Sequence, residues 1–519
     1  MIMIFTASKL IITMGFISVV AATAAGDAMS QALHNTSGSI ALGGGGGAYV
    51  NGYHANFVNP ANLIIPDRNT RYTIGFIGGI QSSAGGSLVN IGLYNKHFTG
   101  GEVIDNERAL RISDEWFGTG PNAAAQMGLG LDVVPVGFSY RRDDMAFSTA
   151  ARARTLGSAG MSKGLFDLAL TGLNTDVFKN PEKVNLNMEM LAMWELSFGF
   201  AMEVWRNQAG FTPGTMRIFA GAAPKILFGM GYAKLGLESR LQVTGRDLES
   251  RVAHDFEYYI HTVGNLTDDF LAYYEERRVQ GNRDVILEDF IDDDSFSDLG
   301  GVLGMGLGLD MGATFEWYMD DVVLPVIGSG PRILRASLSI TDMGGINFRD
   351  NPGDFRANDV FLWDGLNIDF EYIDEEHDGD FSNYLEYVLE DSIGSDIYGN
   401  FSPREVSNHR VGLTPVVNIG GALTMGRLGV MLDIGKGMNN RGVNSRRLYT
   451  ALGTEYRIVG VVPVRIGMKL GGNSAINLSA GTGIDLKNFE FTVGFMTTPA
   501  SSRGGMNMSA AWSGFVVRF

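Results

Sequence analysis

Apolar and polar residues alternate strictly over many short stretches of this chain. In Phe489-Glu490-Phe491-Thr492-Val493-Gly494-Phe495 the odd positions are apolar and the even ones polar or small. Leu428, Val430, Leu432 and Ile434 alternate with Arg427, Gly429, Met431 and Asp433. Ile466, Met468 and Leu470 alternate with Arg465, Gly467 and Lys469, and Leu452, Tyr456 and Ile458 share a face opposite Gly453, Glu455 and Arg457. Earlier, Leu334, Ala336, Leu338 and Ile340 alternate with Arg335, Ser337, Ser339 and Thr341. Successive side chains on a strand point to opposite faces, so each segment predicts a strand with one oily and one wet side.

A soluble sandwich carries the same alternation, and two features select a membrane barrel. Lys9 is followed by an apolar run from Leu10 to Val20 and then by Ala21-Ala22-Thr23-Ala24-Ala25. A run of about 11 apolar residues suits an export leader and is too short to span a bilayer. Residues 1–25 are therefore read as a signal peptide, cut after Ala24 or Ala25. At the other end Phe515, Val517 and Phe519 share a face, with Ser513 and Ala511 read as continuing it. Alternation ending on a terminal Phe resembles the signal by which outer-membrane barrels reach their insertion machinery. The fold class that follows is all-β, a transmembrane antiparallel β-barrel of the bacterial outer membrane. Its oily face would meet lipid, placing Arg335, Arg427, Asp433, Glu455, Arg457, Arg465, Lys469, Glu490 and Arg518 in the lumen. An Arg or Lys on the lipid face would cost about 2–4 kcal/mol near the midplane. Mixed signs there predict a cross-braced or plugged interior.

Some segments break the two-residue period. Ser162 precedes Lys163-Gly164-Leu165-Phe166-Asp167-Leu168, predicting a short capped helix. Between 252 and 291, Phe256, Tyr259, Ile260 and Val263, then Leu266, Phe270, Leu271 and Tyr274, recur at three and four residues, predicting two amphipathic helices. Phe256, Tyr259, Ile260, Phe270 and Tyr274 are the expected lining of an apolar capture groove. Residues 350–403 read as an acidic loop. Composition fits a barrel: 45% hydrophobic, 19% charged and 70 glycines, with the apolar residues dispersed. The net charge of −17 disfavours nucleic-acid phosphates, and the absence of cysteine removes disulfides and thiolate metal sites.

The segment from 26 to 66 differs from the rest. Gly43 to Gly47 form a run of five glycines, followed by Tyr49 and Tyr53 and then Asn59-Pro60-Ala61-Asn62-Leu63. No Gly-Lys-Ser/Thr ending follows, so the run is no phosphate loop. A Gly/Ala-rich start leading to Asn59-Pro60-Ala61-x-Leu63 resembles the FadL/TodX superfamily of outer-membrane barrels, which includes PorV-type proteins of type IX secretion and uncharacterised barrels. Ala222-Ala223-Pro224-Lys225-Ile226-Leu227 resembles a mid-barrel strand of that superfamily. Leu338-Ser339-Ile340-Thr341-Asp342-Met343-Gly344-Gly345-Ile346 resembles a strand end of that superfamily. Gly453-Thr454-Glu455-Tyr456, Pro463 to Gly467 and Gly481-x-Gly483 resemble its C-terminal hairpins. The resemblance implies about 14 strands over residues 67–519, with 26–66 folded inward as a hatch and Asn59, Pro60, Ala61 and Leu63 forming the turn that hands the hatch to the wall. Pro60 fixes its own φ and biases Asn59 to an extended backbone, which suits such a corner.

No His-Glu-x-x-His or Gly-x-Ser-x-Gly motif occurs, no Ser–His–Asp set can be assigned, and His254 and His261 lack a third ligand. The acidic runs Asp292-Asp293-Asp294 with Asp298 and Asp374 to Asp380 miss the spacing of a helix–loop–helix calcium site and read as solvated loops. The chain is read as a non-enzyme without cofactor or metal, in contact with outer-membrane lipid and lipopolysaccharide. Two functions follow from the resemblance. One is passive, porin-like transport of a hydrophobic small molecule. The other is a PorV-like structural or secretion component that receives exported proteins at the cell surface, with secretion-system proteins as its partners.

Overall fold

The computed structural model describes residues 36–66, 70–101, 103–120, 123–245, 251–282, 285, 287–291, 301–324, 328–363, 401–438, 446–472, 476–498 and 505–519. The expected leader at 1–25, both acidic runs and most of 350–403 lie outside these residues.

Among the described residues nineteen strands follow one another along the chain: β1 (Tyr72–Gly86), β2 (Ala124–Arg141), β3 (Met145–Ser162), β4 (Glu182–Lys183), β5 (Leu186–Arg206), β6 (Met216–Thr244), β7 (Arg251–Thr262), β8 (Gly304–Leu324), β9 (Gly328–Phe348), β10 (Gly353–Trp363), β11 (Ser402–Arg404), β12 (His409–Gly412), β13 (Val416–Met425), β14 (Leu428–Gly437), β15 (Tyr449–Ile458), β16 (Val462–Gly471), β17 (Ile476–Asp485), β18 (Phe489–Thr497) and β19 (Met506–Arg518). Fourteen of them, all but β4, β7, β10, β11 and β12, form the antiparallel wall, and β1 closes it by pairing with both β2 and β19. Closure leaves no free edge in the ring, which a sheet in hydrocarbon requires because lipid supplies no hydrogen bonds.

The alternation has the sign expected. Phe147, Trp194, Phe198, Phe200, Leu338, Ile419, Leu432, Leu478 and Phe495 all point outward and are exposed, while their chain neighbours are buried. Among the described residues no helix is long and apolar enough to cross a membrane, so the strands carry the apolar surface.

The two ends of the barrel differ. At one end β2–β3, β13–β14, β15–β16 and β17–β18 are joined by two or three residues, and β1 starts and β19 ends there. At the other end the connections carry helices of their own. Helix α1 (Ser37–Ala41) lies in the hatch; α2 (Ile91–Phe98) and α3 (Asn106–Phe117) join β1 to β2; α4 (Lys163–Thr171) joins β3 to β5; and α5 (Asn265–Tyr274) follows β7. Ser162 caps α4 as its sequence predicts, its Oγ accepting from the Leu165 N–H at 3.4 Å.

Three sequence expectations are corrected. Residues 251–262 form strand β7 rather than a helix, paired with β6 and β10, and among the described residues of the segment only Asn265–Tyr274 is α-helical. The three-and-four spacing of its aromatics coincides with a two-residue period in which Val252, His254, Phe256 and Ile260 are buried and Arg251, Asp255 and Glu257 exposed. Aromatic and β-branched side chains then favour the strand. Arg427 is exposed on the two-residue turn between β13 and β14, because the alternation was counted past the end of the strand. Ser513 and Ala511 are buried and do not continue the outward face of Phe515, Val517 and Phe519. A bulge reverses the phase at Gly514, where an added Cβ would collide with the Ile77 carbonyl, and Ile77 itself sits at φ +48°.

Candidate functional site

The described part of the N-terminal segment lies inside the barrel. Thr36 caps α1 in a reciprocal pair with Ser39, and two 3₁₀ turns follow, Gly52–Phe57 and Pro60–Ile64. Helix α1 packs on β16 to β19, and the 3₁₀ turns pack on β2, β3, β5, β6 and β8. The hatch thus bridges the lumen from wall to wall.

The glycine run has a steric cause. Gly43, Gly44 and Gly46 have positive φ, a Cβ on Gly43 would lie 2.7 Å from the Met468 carbonyl oxygen, and one on Gly45 would overlap the Asp433 carboxylate. Asp433 accepts a hydrogen bond from the Gly47 N–H at 2.8 Å, so the run is backbone laid directly on the wall.

Asn59 and Asn62 tie the hatch to itself and to β8. Asn59 Nδ2 donates to the Gly47 carbonyl at 2.8 Å and to Thr314 Oγ1 at 2.9 Å, and its Oδ1 accepts from the Ala61 N–H at 3.2 Å. Asn62 Nδ2 donates to the carbonyls of Gly47 and Val50 at 2.9 and 3.0 Å, and Thr314 Oγ1 donates to Asn62 Oδ1 at 2.7 Å. Pro60 opens the second 3₁₀ turn, where its missing N–H costs nothing. Ala61 and Leu63 bury against Ala146, Ala201 and Phe219 of the wall.

Above the hatch lies a layer of charges that the sequence reading passed over. Inward positions on six successive wall strands supply Asp132, Arg152, Arg154, Glu195, Lys225, Asp310 and Asp342, all buried. Arg152 reaches Glu195 at 2.6 Å, and Arg154 reaches Glu195 at 2.9 Å and Asp342 at 3.0 Å. Lys225 Nζ lies 2.7 Å from Asp310 and 2.9 Å from Asp342. Between β3 and β9 stand three strands, a span of roughly 19 Å along the wall at about 4.8 Å per strand. Side chains from both ends of that arc nevertheless touch, so the lumen is pinched here. Asp342 reaches inward because β9 carries a bulge at this point and Asp342 takes φ +57°. The hatch covers the layer: the Phe57 ring centroid is 4.2 Å from the Arg152 guanidinium carbon and 5.5 Å from Lys225 Nζ. Lys225 and Asp342 belong to the two mid-chain motifs already noted, but no spacing rule pairs residues 117 apart in sequence.

Most of the expected lumenal charges gather on the opposite wall, on β14 to β19. Arg465 and Arg457 both bind Glu455, each at 2.6 Å, and Tyr49 of the hatch donates to Glu455 at 2.9 Å. Arg457 also pairs with Asp485, Arg518 binds Asp485 at 2.7 Å, and Arg518 pairs with Glu490. Lys469 is buried with its Nζ 4.7 Å from the Tyr449 ring centroid. Arg335 binds Glu316, which Arg217 also contacts.

Farther toward the helical end the lumen turns apolar. Val50 and Val58 of the hatch and Leu156, Leu191, Leu227, Tyr232, Ile346, Phe348 and Tyr449 of the wall form one buried cluster. Beyond it opens a vestibule of about 760 Å³ lined by Gln126, Ser158, Asn185, Asn187, Glu189, Lys183, Lys234, Arg446 and Arg447, with Trp116 and Phe117 of α3 at its side.

The aromatics expected to form an external groove instead make a closed core. Phe256, Ile260 and Phe270 are buried with Leu266, Tyr273, Phe355 and Phe401, and Tyr274 packs against this cluster. Phe270 lies 5.2 Å from Phe355 between ring centroids. Tyr259 faces Lys234, whose Nζ is 5.0 Å from its ring centroid. Among the described residues no three His, Cys, Asp or Glu side chains are placed to hold a metal.

A family model described as "Family of unknown function (DUF5723)" matches residues 60–495. No curated protein matches the chain in sequence. Similar solved structures include the toluene transporter TodX of Pseudomonas putida, 10% identical over 95% of this chain and 98% of that one, with a TM-score of 0.40. The toluene transporter TbuX of Ralstonia pickettii is 13% identical over 94% and 99%, with a TM-score of 0.39. A FadL homologue of Pseudomonas aeruginosa is 10% identical over 95% and 97%, with a TM-score of 0.37.

Proposed function

The chain belongs to DUF5723, a family of unknown function, and we propose that it is a passive outer-membrane channel for small hydrophobic molecules, opened by movement of its hatch. The observation that carries this reading is the lumenal apolar collar. A water-filled pore lines its interior with polar side chains. Here Leu156, Leu191, Leu227 and Phe348 point inward between the vestibule and the hatch. Such a collar repels hydrated ions and offers an apolar solute a continuation of the environment it prefers, at about 25 cal/mol per Å² of apolar surface removed from water. The flanking charges are paired with one another, so they brace the wall without drawing ions through.

In this reading the short-turn end faces the periplasm and the helical end the exterior, the usual asymmetry of bacterial barrels. Hydrogen bonds and glycine contacts hold the hatch in place, with no covalent link to the ring except through β1, so it can shift while the wall stays closed.

The chain has no cysteine, which allows a reversible lock. Ser37 Oγ of the hatch lies 2.6 Å from Thr492 Oγ1 of β18. With Ser37→Cys and Thr492→Cys, oxidation should stop uptake of an apolar dye into vesicles containing the protein, and reduction should restore it. Equal uptake in both redox states would refute hatch gating. A structural role in secretion is the alternative, and stable co-purification with other envelope proteins together with absence of uptake would select it.

A further inference from the structure

We propose that the vestibule at the helical end is a binding site for an acidic saccharide, distinct from the collar below it. The inference goes beyond the channel reading and does not depend on hatch movement.

The cavity, about 760 Å³, is within the range of roughly 300–1,000 Å³ usual for small-molecule sites. Its charge is opposite to that of the whole protein. Among the described residues, Lys183, Lys234, Arg446 and Arg447 line it against one carboxylate, Glu189, in a chain of net charge −17. Glu189 accepts a hydrogen bond from Tyr232 at 3.2 Å, and four cationic side chains against this one carboxylate leave the lining with an excess of positive groups. A concave surface of one sign with low-dielectric walls concentrates counter-ions of the other. The ligand therefore carries negative charge.

The neutral lining decides what else it carries. Gln126, Ser158 and Asn187 line the cavity on the inward phase of β2, β3 and β5, and Asn185 lies beside them with its oxygen bonded to the Ser239 N–H. Aliphatic side chains on the same inward phase of β3 and β5 begin only below, at Leu156 and Leu191. An alkyl anion placed here would strip water from these groups without replacing its hydrogen bonds, which disfavours it. The hydroxyls of a sugar replace them. Trp116 and Phe117 both pack on Phe166, at 5.7 and 5.1 Å between centroids, giving a braced aromatic side wall. A pyranose ring lays its C–H face on such a wall, whereas a bare phosphate leaves it unused. Charge, hydrogen-bonding groups and aromatic wall together fit a polyhydroxylated carboxylate or phosphate, whether a free oligosaccharide or a glycan of the envelope.

The test is calorimetric titration of the full chain in detergent with trigalacturonate, uncharged maltotriose, inorganic phosphate and laurate. Trigalacturonate should bind, with maltotriose and phosphate each at least about tenfold weaker, and added salt should weaken it. Lys234→Gln with Arg446→Gln should weaken trigalacturonate by about tenfold and flatten its salt dependence. Asn187→Leu, which keeps every charge, should weaken it too, while heat-modifiable gel mobility checks that each variant barrel is folded. Failure of trigalacturonate to bind, an unchanged affinity in folded variants, or tighter binding of laurate at the same cations would overturn the proposal. Core oligosaccharide from lipopolysaccharide, compared with trigalacturonate, identifies the source: tighter binding of the core supports an envelope glycan in the site, and the reverse order supports a free solute. The Ser37–Thr492 lock leaves the vestibule untouched, so loss of binding and loss of gating are read separately.

Discussion

Lys225 is fully enclosed, with Asp310, Asp342 and Glu195 all within 3.4 Å of its ammonium. A charge in that position is held by its partners, and removing it leaves carboxylates without a counter-charge in a dry layer. Breaking one side of a buried ion pair costs about 3–5 kcal/mol. Lys225→Met should therefore lower the urea midpoint of the folded barrel by that order, and adding Asp310→Asn should recover part of the loss. An unchanged midpoint for the single variant would show that the layer contributes nothing to stability. Tyr53 makes the complementary case for small residues: an added Cβ at Gly75, Gly78 or Gly137 would overlap its ring, so three wall glycines make the space for one hatch side chain. Neither the ion cluster nor this socket has a local signal, because their members come from strands far apart in the chain.

Elements outside the ring are stabilised more weakly. Helices α2 and α3 are joined by Glu115, which accepts from Lys96 at 2.9 and 2.7 Å and pairs with His97 at 2.9 Å. Those hydrogen bonds, Lys96 first and then His97, hold the Glu115 carboxyl below its ordinary range. A depressed carboxylate contributes stability above its unfolded pKa and loses it as pH falls through the folded value. Protection of α2 and α3 from amide exchange should accordingly drop below about pH 4.5. Glu115→Gln should remove that step, and a step that persists in the variant would assign it elsewhere. The contribution is small because the pair is exposed. Strand β7 and helix α5 behave differently, since their aromatics form a core of their own above the ring. That core is why a segment rich in Phe and Tyr offers no open groove.

At the scale of the molecule, closure depends on the last strand. The Phe519 carbonyl accepts from the N–H groups of Arg71 and Tyr72, and its ring stacks on Tyr72 with centroids 5.3 Å apart. Phe519→Ser with Phe515→Ser should reduce the amount of folded barrel in the membrane several-fold, read as the heat-modifiable band, while Ser513→Ala should not. Equal loss in both would place the effect in strand stability rather than in the outward aromatic face.

Alternation of oily and wet residues determined the barrel, its lipid-facing side and most of the lumenal charges, because period-two patterning is a local property of each strand. The Gly43–Gly47 run and the Asn59–Leu63 motif likewise marked the hatch, since a backbone that must touch a wall needs glycine and a corner needs proline. Tertiary structure alone decided the rest. The bulges at Gly514 and Asp342 reverse the phase without altering composition, and the turn at Arg427 ends a strand that the pattern continues. The charge layer, the collar and the basic vestibule exist only because curvature brings strands hundreds of residues apart onto one lumen, and no spacing along a chain encodes a distance across a barrel.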